Sequence, residues 1–181
     1  LNSWRVDHKD FKDRFLVTVA AGTVGALQVR ADAQFTVQRQ TNDTWRVIEP
    51  ESFAADAGLV RQFIASLSGL QISEFVQDVV TDLGLPTYGL APPSRNYILM
   101  AGETNRTVKT TNSIIAQLDF SAVRDSKVFV RRTDENSVYA VKLADYRRLA
   151  TAGWQLRDRG IWSFTTNEVT RVTIRQDGKT R

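Results

Sequence analysis

Apolar and polar residues alternate along much of this chain. Val24 to Arg30 and Gln34 to Arg39 are two short runs of this kind; in the second, Phe35 and Val37 alternate with Thr36 and Gln38. A period of two is that of a strand with one buried face, and the neighbouring runs predict a hairpin. A turn in "NDTWRVIEP" leads to a third strand, Trp45 to Ile48, stopped by Pro50. The period then changes. After Asp56, a suitable N-cap, Leu59, Val60, Phe63, Ile64 and Leu67 fall on one face of a helix, with Gly69 placed to end it.

Strands are predicted again at Leu70 to Val76, Tyr97 to Met100 and Ile114 to Phe120, where Ala116, Leu118 and Phe120 share the phase of Ile114. Between the first two lies "DLGLPTYGLAPPS", dense in Gly and Pro, which predicts a structured loop with a helical turn near Asp82 to Leu85. Polar "GETNRTVKTTN" predicts a hairpin tip. Val128 to Arg131 and Val138 to Val141 flank "RTDENS" as a further hairpin, and Leu143 to Ala150 predicts a second helix with Leu143, Tyr146 and Leu149 or Ala150 inward. The sum is α+β, a mostly antiparallel sheet of hairpin-linked strands with two principal helices.

The chain also echoes itself. "FKDRFL" near the start resembles "LRDRGIWSF" near the end at an offset of 145 residues, Arg14 meeting Arg159. In that register Leu16 meets Ile161, Val24 meets Val169, Leu27 meets Val172, Val29 meets Ile174 and Asp32 meets Asp177. The expected organisation is a tail of a preceding unit at 1–13, one complete repeat unit at 14–158, and the start of another at 159–181. "VTRVTIRQDGKTR" fits this, with a strand from Val169 to Arg175 followed by Asp177-Gly178, a tight-turn pair. The few residues beyond predict a hairpin cut short.

Composition narrows the function classes. Hydrophobic residues make up 42% of the 181 and charged residues 24%, as in a globular chain. The net charge of +4 comes from arginines scattered among acids, such as Arg5, Arg30, Arg46, Arg61, Arg95, Arg106 and Arg171, and not from one basic face. The denser bases are Arg131–Arg132, Arg147–Arg148 and Arg157-Asp158-Arg159. The pattern argues for solvated arginines over a nucleic-acid surface. There is no Cys, so no disulfide or thiolate metal site exists. No apolar run approaches the roughly 20 residues of a membrane span. The chain opens at Leu1 without a signal-peptide pattern and is expected to be a soluble segment of something longer.

Catalytic constellations are scarce. The single His8 stands among Asp7, Asp10 and Asp13, and one imidazole with hard-oxygen neighbours favours an acidic, solvated face over a metal site. No G-x-S-x-G elbow, P-loop or G-x-G-x-x-G occurs. The paired acids Asp134-Glu135 and Glu49/Glu51 fall in turns, where polar residues are expected. No catalytic, metal or cofactor-binding residue is assigned.

In "YGLAPP", Tyr88 is expected to plug the sheet edge. Gly89 would take a conformation closed to other side chains, and Pro92 and Pro93 would stiffen the lead into the next strand. The alternative is a ligand-docking rim formed by Tyr88, Gly89, Pro92 and Pro93. Trp4, Trp45, Trp154 and Trp162 are expected as core anchors. Trp154 and Trp162 flank the LRDR phrase and are expected to pack at a seam between units, fixed by charged hydrogen bonds of Arg157, Asp158 and Arg159. The sequons at Asn42 and Asn105 are read as accidental.

"WRVIEP", "ADAGLVRQFIASLSGL", "YGLAPP", "KVFVRR" with "SVYAV", and "LRDRGIWSFTTNEVTRVTI" occur in that order. Together they resemble the bacterial domain-of-unknown-function 4340 family from about Val24 to Arg175. The most specific parts are Tyr88-Gly89-Leu90 with Pro92 and Leu156-Arg157-Asp158-Arg159. The polar insert from Gly102 to Ser113 is longer than the family pattern. The resemblance implies an accessory domain outside the cytoplasm, on a membrane-anchored protein with tandem repeats, in some members encoded beside an ABC-type exporter. It implies no catalytic residues. The expected function is therefore a non-catalytic interaction or scaffold domain, with neighbouring repeat units and a membrane complex as partners. Nucleic-acid binding and direct membrane insertion by this segment are not expected. The alternatives are a module binding envelope polysaccharide and, behind it, a hydrolase.

Overall fold

The computed structural model describes residues 14–102 and 113–160, together with 170, 171, 173, 175, 176, 179 and 180. Nine strands form one sheet: β1 (Val24–Arg30), β2 (Gln34–Arg39), β3 (Trp45–Glu49), β4 (Phe53–Ala55), β5 (Ile72–Gln77), β6 (Arg95–Ala101), β7 (Ile114–Phe120), β8 (Val128–Arg132) and β9 (Val138–Val141). Their order is β4-β3-β2-β1-β6-β7-β8-β9-β5, and every neighbouring pair is antiparallel. The α+β expectation holds in this coarse sense. The short β4 was not anticipated: three residues carry too little alternation to be seen, and pairing with β3 is what makes them a strand.

Helix α1 (Ala57–Ser68) links the two edge strands, β4 and β5. Asp56 caps it as predicted, Oδ1 accepting from the Gly58 and Leu59 amides at 2.6 and 3.0 Å. Gly69 ends it with φ of −86°, a value open to any residue. Val60, Phe63, Ile64 and Leu67 are buried, and Leu59 packs half-buried beside them. A flat nine-stranded sheet spans roughly 38 Å, several times the roughly 10 Å width of a helix. All nine strands place side chains in one core cluster, so α1 shares the cover of that face with Leu16, Val17, Tyr146, Leu149, Ala150 and Leu156.

Helix α2 (Leu143–Arg148) stops two residues short of the predicted end. Leu149 is already extended, because the sheet ties down the following chain: Tyr97 donates to the Ala150 carbonyl at 3.2 Å and the Ala33 amide donates to the Thr151 carbonyl at 3.1 Å. Leu149 and Ala150 are still buried as expected. One predicted phase changes partway. A bulge lies where Leu99 pairs with Ala116 but Met100 pairs with Ile114, so the extra residue Ile115 packs on the core and Ile114 is exposed. Gly25 is required by close approach, since a Cβ there would lie 2.2 Å from Gly102 Cα.

The other sheet face divides in two. Over β8 and β9, Leu85, Leu90 and Val138 form a small apolar cluster with Tyr88 and Phe129. Over the central strands the same face is polar, with Arg30, Asn96, Asp119 and Arg131 as successive register partners across β1, β6, β7 and β8.

Near the chain end, Arg175–Gln176 (β10) pairs antiparallel with Lys179–Thr180 (β11), and the predicted turn pair Asp177-Gly178 lies outside the described residues. Of the strand predicted before it, Thr170, Arg171 and Thr173 are not in a strand, and Val169, Val172 and Ile174 lie outside the described residues. His8, Trp4, Trp162, Asn105 and most of the predicted polar hairpin tip also lie outside them.

Candidate functional site

The LRDR phrase lies along the free side of β4. Arg157 pairs with Ala55 as an isolated antiparallel bridge, the Asp158 amide donates to the Ala54 carbonyl at 3.0 Å, and the Asp56 amide donates to the Leu156 carbonyl at 2.9 Å. A short 3-10 turn, Gly153–Leu156, delivers the chain there. Its Leu156 is buried, and Gly153 packs beside the Phe35 and Val47 side chains. The Gln155 side chain accepts from the Thr151 amide at 2.7 Å and the Ala152 amide at 3.2 Å.

The Arg157 guanidinium sits 4.2 Å from the centre of the Phe53 ring, a cation–π contact. Asp158 Oδ1 accepts from the Gly160 amide at 2.8 Å. Arg159 is exposed, and so is Trp154, at 61%. Among the described residues, backbone pairing and one cation–π contact hold this segment against β4. Trp154 is no core anchor of the described fold, whereas Trp45, at 5% exposure, is one.

Beside this segment runs an open groove of about 740 Å³, walled by the β2–β3 turn, β4, the start of α1 and Asp158. Three carboxylates line it: Asp43, Asp56 and Asp158. Each is occupied. Asp43 faces Arg39 at 3.7 Å, Asp56 caps α1 and Asp158 holds the Gly160 amide. The groove thus supplies surface without a set of convergent, uncommitted acids.

The opposite edge is built similarly. Phe15 bridges to Gln71 just before β5, with the Leu16 amide donating to the Leu70 carbonyl at 3.0 Å and the Ile72 amide to the Arg14 carbonyl at 2.7 Å. The segment that leaves β5 carries Val79 and Leu83, 69% and 92% exposed.

The YGLAPP loop follows its expectation at Gly89 but not at Tyr88, which covers the sheet face over β8 and not the sheet edge, because its ring joins the apolar cluster there. Tyr88 stacks edge-on against Phe129 with ring centres 5.5 Å apart, and Gly89 is left-handed at φ 68°. Of the proposed rim, Pro93 lines a separate cavity of about 480 Å³ with Arg30, Ala31, Ser94, Asn96, Gln117 and Asp119. Tyr88 and Gly89 face the apolar cluster and Arg124, and Pro92 is exposed.

The paired acids of the β8–β9 turn serve structure. Asp134 takes two hydrogen bonds from Arg132, at 3.0 and 2.6 Å, which hold its carboxyl below the usual carboxylate value. Glu135 accepts from Tyr139 at 2.7 Å, and burial followed by that bond pushes the Tyr139 phenol up. Glu49 accepts from Thr36 at 3.3 Å. No cluster of three or more metal-ligating side chains occurs among the described residues, and no described helix is long and apolar enough to cross a membrane.

Sequence reasoning missed Asn96 and Asp119. Both are buried polar residues in strands; Asp119 was visible off-phase in its predicted strand, whereas Asn96 fell just before the predicted strand at Tyr97, and their pairing across β6 and β7 was not visible.

Comparison with known proteins places residues 45–181 in the family described as Domain of unknown function (DUF4340), and the chain belongs to that family. The match begins at Trp45, later than the resemblance read from Val24, although β1 and β2 lie inside the same sheet. No curated protein and no solved structure matches the chain.

Proposed function

We propose that this member of the DUF4340 family is a non-catalytic interaction domain whose two sheet edges face protein neighbours. The observation that carries the reading is the pair of exposed apolar sites at opposite ends of one sheet: Trp154 beside β4, and Val79 with Leu83 beyond β5. Each edge is closed by little more than one bridged residue, Arg157 or Phe15, and edges so lightly covered are natural docking points. The 145-residue echo between the two bridging segments makes neighbouring repeat units the first partners of the proposal, with LRDR as the seam. The remaining elements rest on the family resemblance alone: a position outside the cytoplasm on a membrane-anchored protein, and service to an ABC-type transport complex. Engagement of all three groove carboxylates speaks for binding over hydrolysis.

Photo-crosslinking groups at positions 154 and 83 of the full-length protein in native membranes test it, with exposed Gln62 of α1 as the control. Discrete protein adducts at 154 and 83 but not at 62 are expected. Adducts at 154 with carbohydrate would transfer the reading to the alternative, a polysaccharide module using the exposed indole as a stacking face. Absence of adducts at both edges would overturn both.

A further inference from the structure

Asn96 and Asp119 lie on the sheet face turned away from α1, where an antiparallel sheet ordinarily meets water. They are nevertheless only 7% and 4% exposed. Asn96 Nδ2 donates to Asp119 Oδ1 at 2.6 Å, and Arg131 Nε donates to Asp119 Oδ2 at 3.2 Å. These bonds fix the amide: turned over, it would press oxygen against carboxylate. Asn96 Oδ1 therefore points away from Asp119, and it is buried with no hydrogen-bond donor. A buried acceptor left unpaired is costly and calls for an explanation.

The cavity of about 480 Å³ adjoins this residue. Arg30, the register partner of Asn96 on β1, stands exposed on its wall, and no carboxylate among the described residues pairs with it. Gln117 and Ser94 add side chains that both donate and accept. The oxygen is closed to solvent, so a ligand reaches it only after neighbouring side chains shift. Arg30 has the length and freedom to do so and then to fold over an anion.

We propose that this cavity binds a small hydroxylated carboxylate, its hydroxyl donating to Asn96 Oδ1 and its carboxylate held by the Arg30 guanidinium. The planar guanidinium fork suits a carboxylate, and the orphan acceptor demands the neighbouring O–H. That chemistry occurs in a free hydroxy acid and in an acidic sugar unit.

The test is a chemical-shift titration of the 181-residue chain with glycolate, D-glucuronate, D-glucose and inorganic phosphate. Shifts of the Asn96 side-chain amide with glycolate and glucuronate support a site for free hydroxy acids. Shifts with glucuronate alone support an acidic sugar. Arg30→Gln is expected to weaken the binding about tenfold or more. If that variant does not fold, Arg30→Lys, which keeps the charge and loses the fork, should weaken it measurably. Any of three results overturns the proposal: no Asn96 shift at tens of millimolar, equal binding of glucose or phosphate, or unchanged affinity in the arginine variant.

Discussion

Phe120 and Asp119 are adjacent in β7, and both are hidden from solvent, yet unrelated forces hold them there. Phe120 faces the core, with Tyr97 and Tyr146 rings 5.6 Å away. Asp119 faces outward and is held by one amide and one guanidinium. Burial on the inner face follows from removing apolar area from water, which is non-directional and tolerant. Burial on the outer face depends on hydrogen bonds whose geometry must be met atom by atom. The inner face therefore explains why the chain folds, and the outer face is where it can be specific.

Truncation should separate the two most plainly. Phe120→Ala is expected to cost about 3–5 kcal/mol in urea unfolding, the range for emptying a buried aromatic site. A loss under about 1 kcal/mol would mean the inner face tolerates a cavity there. Asp119→Ala removes less volume but leaves Arg131 and Asn96 without their acceptor, and about 2–3 kcal/mol is expected. Restoration by a second change, Arg131→Ala, would show that the stranded cation is the source of that loss.

Titration probes the inner face alone. Burial pushes the Tyr97 phenol up to about 12 from an ordinary value of 10.0. The fold thus favours the neutral phenol. Its contribution is complete below pH 10 and is lost as the pH rises through about 12, by on the order of 2–3 kcal/mol. Tyr97→Phe should abolish that alkaline loss, and an identical alkaline limb in the variant would assign it elsewhere. The smallest effect is expected at the edge: Trp154→Ala should change stability by no more than about 0.5 kcal/mol, because the indole is exposed, while weakening any contact made along β4.

Legibility followed the same division. The phase of β2 and β7, the Asp56 cap and the inward face of α1 could all be read locally, since each depends on residues within a few positions of one another. The phase of β7 failed only at Ile114, where a bulge set by β6 intervenes. Gly89 was also legible, because a left-handed turn restricts residue type; Tyr88 was not, since it covers the face over β8 and not the sheet edge. Trp154 was misjudged: its size argued for burial, but the 3-10 turn buries Leu156 and presents the indole outward. Nothing local marked Asn96 as part of a site.

By itself, then, the amino-acid order determined which stretches alternate, where the main helix begins and which residues could bury an apolar face. Tertiary structure alone decided that β4 and β5 are the edges, that LRDR lies beside one of them, and that residues as distant as 30 and 131 share one polar row. The reason is physical: periodicity is a property of neighbours along the chain, whereas cross-strand partnership is set by the closure of long loops around a shared core.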